Sequence, residues 1–150
     1  MDTKYFEKIR IFDGGMGQEL LSKGLISKGT LWSASALIER EFHKLVIDAH
    51  ISYINAGADI IVTNNFSSRK IRFIQNKVLN KFQYANEQAG ILANKAREIS
   101  KQNILIAGSL PSQSDTYVED ERSSSEIQSD FEEQAKIISP YVDFFYLDVV

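Results

Sequence analysis

The residues best placed to do chemistry in this sequence are two acids far apart in the chain. Asp13 opens the glycine-rich run DGGMGQEL, residues 13–20, and Asp148 sits near the end of DFFYLDVV, residues 143–150. If both lie at strand ends on one side of a sheet, their carboxylates converge. Such a pair can exchange protons, or it can hold a substrate ammonium through charge-assisted hydrogen bonds. Ammonium binding is the favoured use, because no histidine or thiol is placed beside either acid as a catalytic partner. Asp148 as a bare terminal acid is the remaining alternative.

Glycines at 14, 15 and 17 permit a tight path after Asp13. Three uses of that path compete: a dinucleotide-binding loop, a purely structural turn, and a small-molecule site around the acid. The dinucleotide fingerprint G-x-G-x-x-G fails, since Leu20 stands where a third glycine is needed after Gly15 and Gly17. In VTNNFSS, Thr63, Asn64 and Asn65 offer hydroxyl and amide groups and Phe66 an apolar wall, although the asparagines can equally cap a turn. AGSLPS puts Ser109 and Pro111 at another strand exit. Trp32, the only tryptophan, lies in LWSASAL, where its ring can wall a pocket or cover one end of the fold. His43 and His50, seven residues apart, are read as structural or surface residues, because that spacing supplies neither a third metal ligand nor a catalytic partner.

Positioning these groups needs parallel strands. Four short apolar segments begin at residues 9, 59, 104 and 143: IRIF, DIIVTN, ILIAGS and DFFYLDVV. The intervals are too long for hairpins and suit helical crossovers, as in β-α-β units. Helical periodicity predicts helices near Glu39 to Asn55, Arg69 to Leu79, Tyr84 to Ser100 and Glu126 to Ser139. The first carries a stripe of Phe42, Val46, Ala49 and Tyr53, and the third packs through Ala85, Ala89, Leu92 and Ala96. Ser123 with Glu126 fits a capping box, and Pro140 a stop. The polar tract from Gln113 to Ser125 reads as a loop on the active face.

Composition narrows the classes further. The 150 residues suit one domain, with hydrophobic residues at 43% and charged residues at 25%. A net charge of -3 does not favour a nucleic-acid partner. No apolar run is long enough for a membrane span, and MDTKYFEKIR has no signal-peptide core, so a cytoplasmic address is expected. Zero cysteines exclude disulfides, thiol nucleophiles and thiolate metal ligands within the chain.

Taken in order, IFDGGMGQEL, LWSASAL, HISYINAGADIIVTNNF, IAGSLPS and VDFFYLDVV resemble the N-terminal half of the homocysteine S-methyltransferase family. That resemblance implies an α/β fold of the (β/α)8 TIM-barrel class, with residues 1–150 supplying about the first four β/α units. A complete barrel of this kind takes about 250 residues. It also implies methyl transfer to the sulfur of homocysteine, giving methionine, from a donor such as S-methylmethionine or S-adenosylmethionine.

By the same resemblance Asp13 binds the homocysteine amino group, and Thr63, Asn65 and Phe66 fall in a substrate pocket segment. Asp148 stands where the family usually carries Glu, and Trp32 belongs to the donor-side loop. The family's zinc is held by cysteines of the C-terminal half, so no metal site is expected in this chain, nor methyl transfer by it alone. Expected partners are homocysteine, a methyl donor, and either a complementary C-terminal half or a second copy. A noncatalytic small-molecule-binding or assembly domain built on the same fold is the alternative.

Overall fold

Residues 3–149 are described in a computed structural model. Its centre is a sheet of three parallel strands in sequence order: β1 (Ile60–Val62), β2 (Leu105–Pro111) and β3 (Phe144–Asp148). Ile60 is in register with Leu105, and Ala107 with Phe144. Because β2 is covered on both edges and both faces, its residues from Ile106 to Pro111 are buried, which suits its short apolar run. Val150, the last residue of the expected fourth strand, lies outside the described residues.

Three of the four expected strands therefore form. The first segment, Ile9 to Phe12, is reduced to a parallel bridge between Phe12 and Ile60. The cause is local. The Asp59 carboxylate accepts the Ile11 N–H at 2.9 Å, taking a donor that a longer ladder would use. Ile9 and Ile11 meanwhile stay exposed, so little burial favours extending the strand. The arrangement is a mixed α/β fold with parallel strands joined by helical crossovers.

The first crossover contains α1 (Met16–Ser22), a 3-10 turn at Gly29–Ala34, α2 (Ser35–Ile38), a second 3-10 turn at Arg40–Phe42, and α3 (His43–Asn55). The helix expected from Glu39 thus starts as a tighter turn. Of its stripe, Val46 and Ala49 are fully buried, and so are His50 and Ile54. The second crossover holds α4 (Lys70–Gln75), a 3-10 turn at Leu79–Lys81 and α5 (Phe82–Ser100). Ala85, Ala89, Leu92 and Ala96 of α5 are buried as the spacing predicts. Gly90 lies within this helix at its close approach to Tyr141, whose Cβ would sit against any added side chain.

The third crossover carries α6 (Ser124–Ile138), started by the expected capping box. Ser123 Oγ accepts the Glu126 N–H, and the Glu126 carboxylate accepts the Ser123 N–H. Leu20, Leu37, Val46, Phe73, Leu92 and Ile138 belong to the main apolar cluster, which joins the helices of all three crossovers. Ile54, Ile61, Ala96 and Ile106 form a second one between sheet and helices. By contrast, Phe145, Tyr146 and Leu147 on β3 are 40%, 40% and 62% exposed, so the sheet's far edge is apolar and open. Among the described residues no helix is long and apolar enough to cross a membrane.

Candidate functional site

Parallel strands bring their C-terminal ends to one edge, and the two acids meet there. Asp13 follows the bridge residue Phe12; its N–H donates to the Ile60 carbonyl at 2.9 Å, and its Oδ2 accepts the Val62 N–H at 3.0 Å. The acid is thereby clamped to β1, with its side chain only 3% exposed. Asp148 ends β3, where Ser109 Oγ on β2 donates to its Oδ2 at 2.9 Å. Burial pushes the Asp13 carboxyl up to about 7, against the stabilising N–H bonds from Val62 and from its own backbone; the Asp148 charge adds to the rise.

The acids share a cavity of about 290 Å³ with Trp32, Thr63, Phe66 and Tyr146 on its walls. Its lining residues include two carboxylates and no basic side chain. The backbone of Trp32 is at φ 45 and ψ -120, a region that disfavours an L side chain. Gly17 makes room for the ring: a Cβ there would lie 2.6 Å from two carbons of the Trp32 indole. Asn64 Nδ2 donates to the Ser33 carbonyl at 3.2 Å, tying the exit of β1 to the Trp32 loop.

Five of the six expected site residues, Asp13, Trp32, Thr63, Phe66 and Asp148, meet in this cavity. Asn65 does not line it. The chain turns after β1, with the Asn65 N–H donating to the Thr63 carbonyl at 2.8 Å, and the Asn65 side chain points into the protein. There its Nδ2 donates to the Ser109 carbonyl at 2.9 Å and to Asn86 Oδ1 at 3.2 Å. Gln134 Nε2 donates to the same Asn86 oxygen at 3.0 Å, and Gln113 Nε2 to Gln134 Oε1 at 2.9 Å. This buried chain of amides joins the exits of β1 and β2 to α5 and α6. Thr63 belongs to it too, donating its hydroxyl to Asn65 Oδ1 at 2.6 Å and accepting the Ser109 N–H at 3.0 Å.

Sequence reading missed Tyr146, although it lies two residues before Asp148 and so on the same strand face. It also placed Ser109 past the end of a strand, whereas β2 continues to Pro111 and holds Ser109 inside it. His50 faces Asp13, its Nδ1 3.9 Å from Oδ2. Complete burial lowers its pKa to about 4. The polar tract from Gln113 contributes to a separate cavity of about 430 Å³, together with Ile127 and Phe131. Arg69 anchors its start, donating to the carbonyls of Ser112 and Ser114 at 3.4 and 2.5 Å, while its guanidinium lies 5.2 Å from the Phe66 ring centre. Burial lowers Arg69 to about 10, which leaves it charged at neutral pH.

The donor set does not fit a thiolate metal centre. The chain has no cysteine, and among the described residues no group of three or more His, Asp or Glu side chains is gathered to hold a metal ion.

Comparison with known proteins gives a consistent result. The family model described as homocysteine S-methyltransferase matches residues 10–150. Homocysteine S-methyltransferase from Escherichia coli (strain K12) is 30% identical over 117 residues, covering 69% of this chain and 35% of that protein. Homocysteine S-methyltransferase 1 from Zea mays is 36% identical over 64 residues, 43% of this chain and 19% of that protein. Among solved structures, the metallated form of the homocysteine methyltransferase MmuM from Escherichia coli superposes with a TM-score of 0.78 at 25% identity, covering 95% of this chain and 55% of that one. The oxidized form gives a TM-score of 0.82 at 24% identity, over 99% and 55%, and at that identity shows likeness of fold alone. The chain thus spans about a third or less of these curated relatives and about half of the solved chains.

Proposed function

Because the chain belongs to the homocysteine S-methyltransferase family, we propose that its cavity is the amino-acid subsite of a methyl-transferring (β/α)8 barrel. Residues 1–150 supply about the first four β/α units of that barrel. Asp13 and Asp148 bind the ammonium of homocysteine. Thr63, Phe66 and Tyr146 wall its side chain, Asn65 holds Thr63 in place from behind, and Trp32 closes the donor side.

One observation carries this reading: two carboxylates, fixed by separate strands, enter a single cavity with no basic side chain on its lining. A cationic group relieves their mutual repulsion, and the apolar walls suit the short chain that carries the sulfur.

In the transfer reaction, the homocysteine sulfur attacks the methyl carbon of a donor such as S-methylmethionine or S-adenosylmethionine. The carbon–sulfur bond to the donor breaks, and the thiol proton is lost. This chain's residues bind and orient the amino acid for that step. They do not supply the zinc site expected of the family, so no activation of the thiol is assigned to them. Ile9, Ile11 and Leu147 are exposed apolar residues near the two edges of the sheet, and they support a complementary half or a second copy as partner. With no cysteine in the chain, a noncatalytic amino-acid-binding or assembly domain on the same fold is the second reading.

Titration calorimetry with L-homocysteine tests the subsite. Selective binding that is weakened by Asp13→Ala by about 1 to 3 kcal/mol is expected. A folded chain that binds no homocysteine overturns the reading. Methionine formation after mixing with a cysteine-bearing C-terminal half separates the enzymatic reading from the second one.

A further inference from the structure

His50 is 0% exposed on α3, and neither of its ring nitrogens has a hydrogen-bond partner. Buried polar groups almost always find partners, and one left without costs free energy, so this imidazole calls for an explanation. Its Nδ1 points at Asp13 Oδ2 across 3.9 Å, about 1 Å beyond hydrogen-bond length. Asp13 is fixed to β1 through its own N–H and through Val62, so closing the gap falls to a movement of the imidazole.

We propose that His50 is a positioning residue for Asp13: its Nδ1 and Asp13 Oδ2 hold one proton between them, and an ammonium-bearing amino acid docking on Asp13 moves that proton onto Nδ1 and expels the one on Nε2. This rests on the amino-acid reading of the cavity. With the cavity unliganded, the Asp13 carboxyl donates to Nδ1 of a neutral imidazole that carries its hydrogen on Nε2. With ligand bound, the carboxylate is ionised and accepts from both the ammonium and an Nδ1–H. One proton is released to solvent for each ligand bound, and the imidazole stays neutral but changes tautomer.

The surroundings agree with this exchange. Burial drives both groups toward their neutral forms, raising Asp13 and lowering His50. Asp148 on β3 pushes Asp13 the same way. Tyr53 on α3 is itself raised by burial and by the charges of Glu19 on α1 and of Asp13, and Tyr146 on β3 lines the cavity. A docked ammonium reverses the balance at Asp13 by offering the carboxylate a counter-charge.

Nitrogen-15 NMR of the whole chain tests the pair without any ligand, and His43→Gln assigns the signals, since there are only two histidines. The His50 ring should stay neutral from pH 5 to 8, pass from the Nε2–H to the Nδ1–H form near pH 7, and lose that inflection in Asp13→Asn. A His50 ring that gains a second proton near its ordinary pKa, indifferent to Asp13→Asn, overturns the proposal.

L-methionine, which has no titrating thiol, then serves as probe. Calorimetry at pH 6 in buffers of different ionisation enthalpy should show release of one proton, with the same tautomer change at His50. At pH 7, His50→Leu should weaken binding about tenfold, and His50→Asn, which keeps an N–H, should restore part of it. Binding with unaltered His50 signals overturns this inference and leaves the subsite standing. The pH-dependent tautomer change with no binding of methionine or homocysteine overturns the subsite instead.

Discussion

Ser109 and Asp148, on neighbouring strands, are joined by a 2.9 Å hydrogen bond from the serine hydroxyl to Oδ2. Ser109 is fully buried, and its backbone carbonyl and N–H are held by Asn65 and Thr63, so the acid is fixed by a residue that is itself fixed. Ser109→Ala should leave the fold intact, free the Asp148 rotamer and cost amino-acid binding about 1 kcal/mol. Calorimetry with L-homocysteine measures it; unchanged affinity would separate Asp148 from ligand binding.

The Asp13 and His50 shifts act on stability with opposite signs. Asp13 goes from 3.8 to about 7 on folding, so between those values the folded state holds the extra proton and stability falls as pH rises. His50 goes from 6.5 to about 4, so between those values the unfolded state holds the extra proton and stability rises with pH. From pH 4 to 6.5 the two slopes oppose each other. Asp13→Asn should therefore expose a rise in unfolding free energy of roughly 3 kcal/mol over that range, and His50→Leu a fall of similar size. Urea unfolding at a series of pH values checks both; parallel curves for the two variants would contradict the assigned shifts.

Gly17→Ala should push the Trp32 indole off its seat, because the new methyl would stand 2.6 Å from ring carbons. A loss of about 1 to 3 kcal/mol in stability is expected. As Trp32 is the only tryptophan, its fluorescence should shift to the red as the ring gains water, together with weaker ligand binding. An unshifted spectrum would show that the ring does not need this glycine.

Ser123→Ala removes half of the capping box on α6 and should cost about 1 kcal/mol. For a chain of this size that lowers the melting temperature by about 2 to 4 °C. Ser123 is remote from the acids, so binding at saturating folded protein should not change. A melting temperature equal to the parent's would mean that Glu126 alone suffices.

The cavity was legible in the sequence because parallel strands place all their exits on one edge. Four apolar segments separated by helical lengths put Asp13, Thr63 and Asp148 at strand exits, which become neighbours once the segments join one parallel sheet. What escaped depended on local geometry. Strand alternation stops at Val62, where the chain turns, so Asn65 points inward and Asn64 reaches the cavity. Nothing in the run IRIF reveals that the Asp59 side chain will take the Ile11 N–H and limit the segment to a bridge. The pattern around His50 showed a helix face but not its opposite wall, and the partner there, Asp13, belongs to a different element. His43, read like His50 as structural or on the surface, lies with its Nε2 3.0 Å from the Leu37 carbonyl.

The Phe12–Ile60 bridge leaves the segment before Asp13 with little backbone pairing, so the acid's hold on β1 rests on its own N–H and on the Val62 N–H to its carboxylate. Apart from the Asp59 carboxylate, the backbone bonds between this segment and β1 run from Asp59, Ile60 and Asp13, and the segment is open on its other side. Local opening should therefore begin in this edge segment before the interior strands separate. On the proposed reading, an amino acid held by Asp13 on one edge and Asp148 on the other would act as a rivet across three strands. Part of its intrinsic affinity is spent on ordering that first edge, and amide hydrogen exchange at Asp13 should slow on ligand binding far more than exchange at Ile106, which is secured whether the cavity is full or empty.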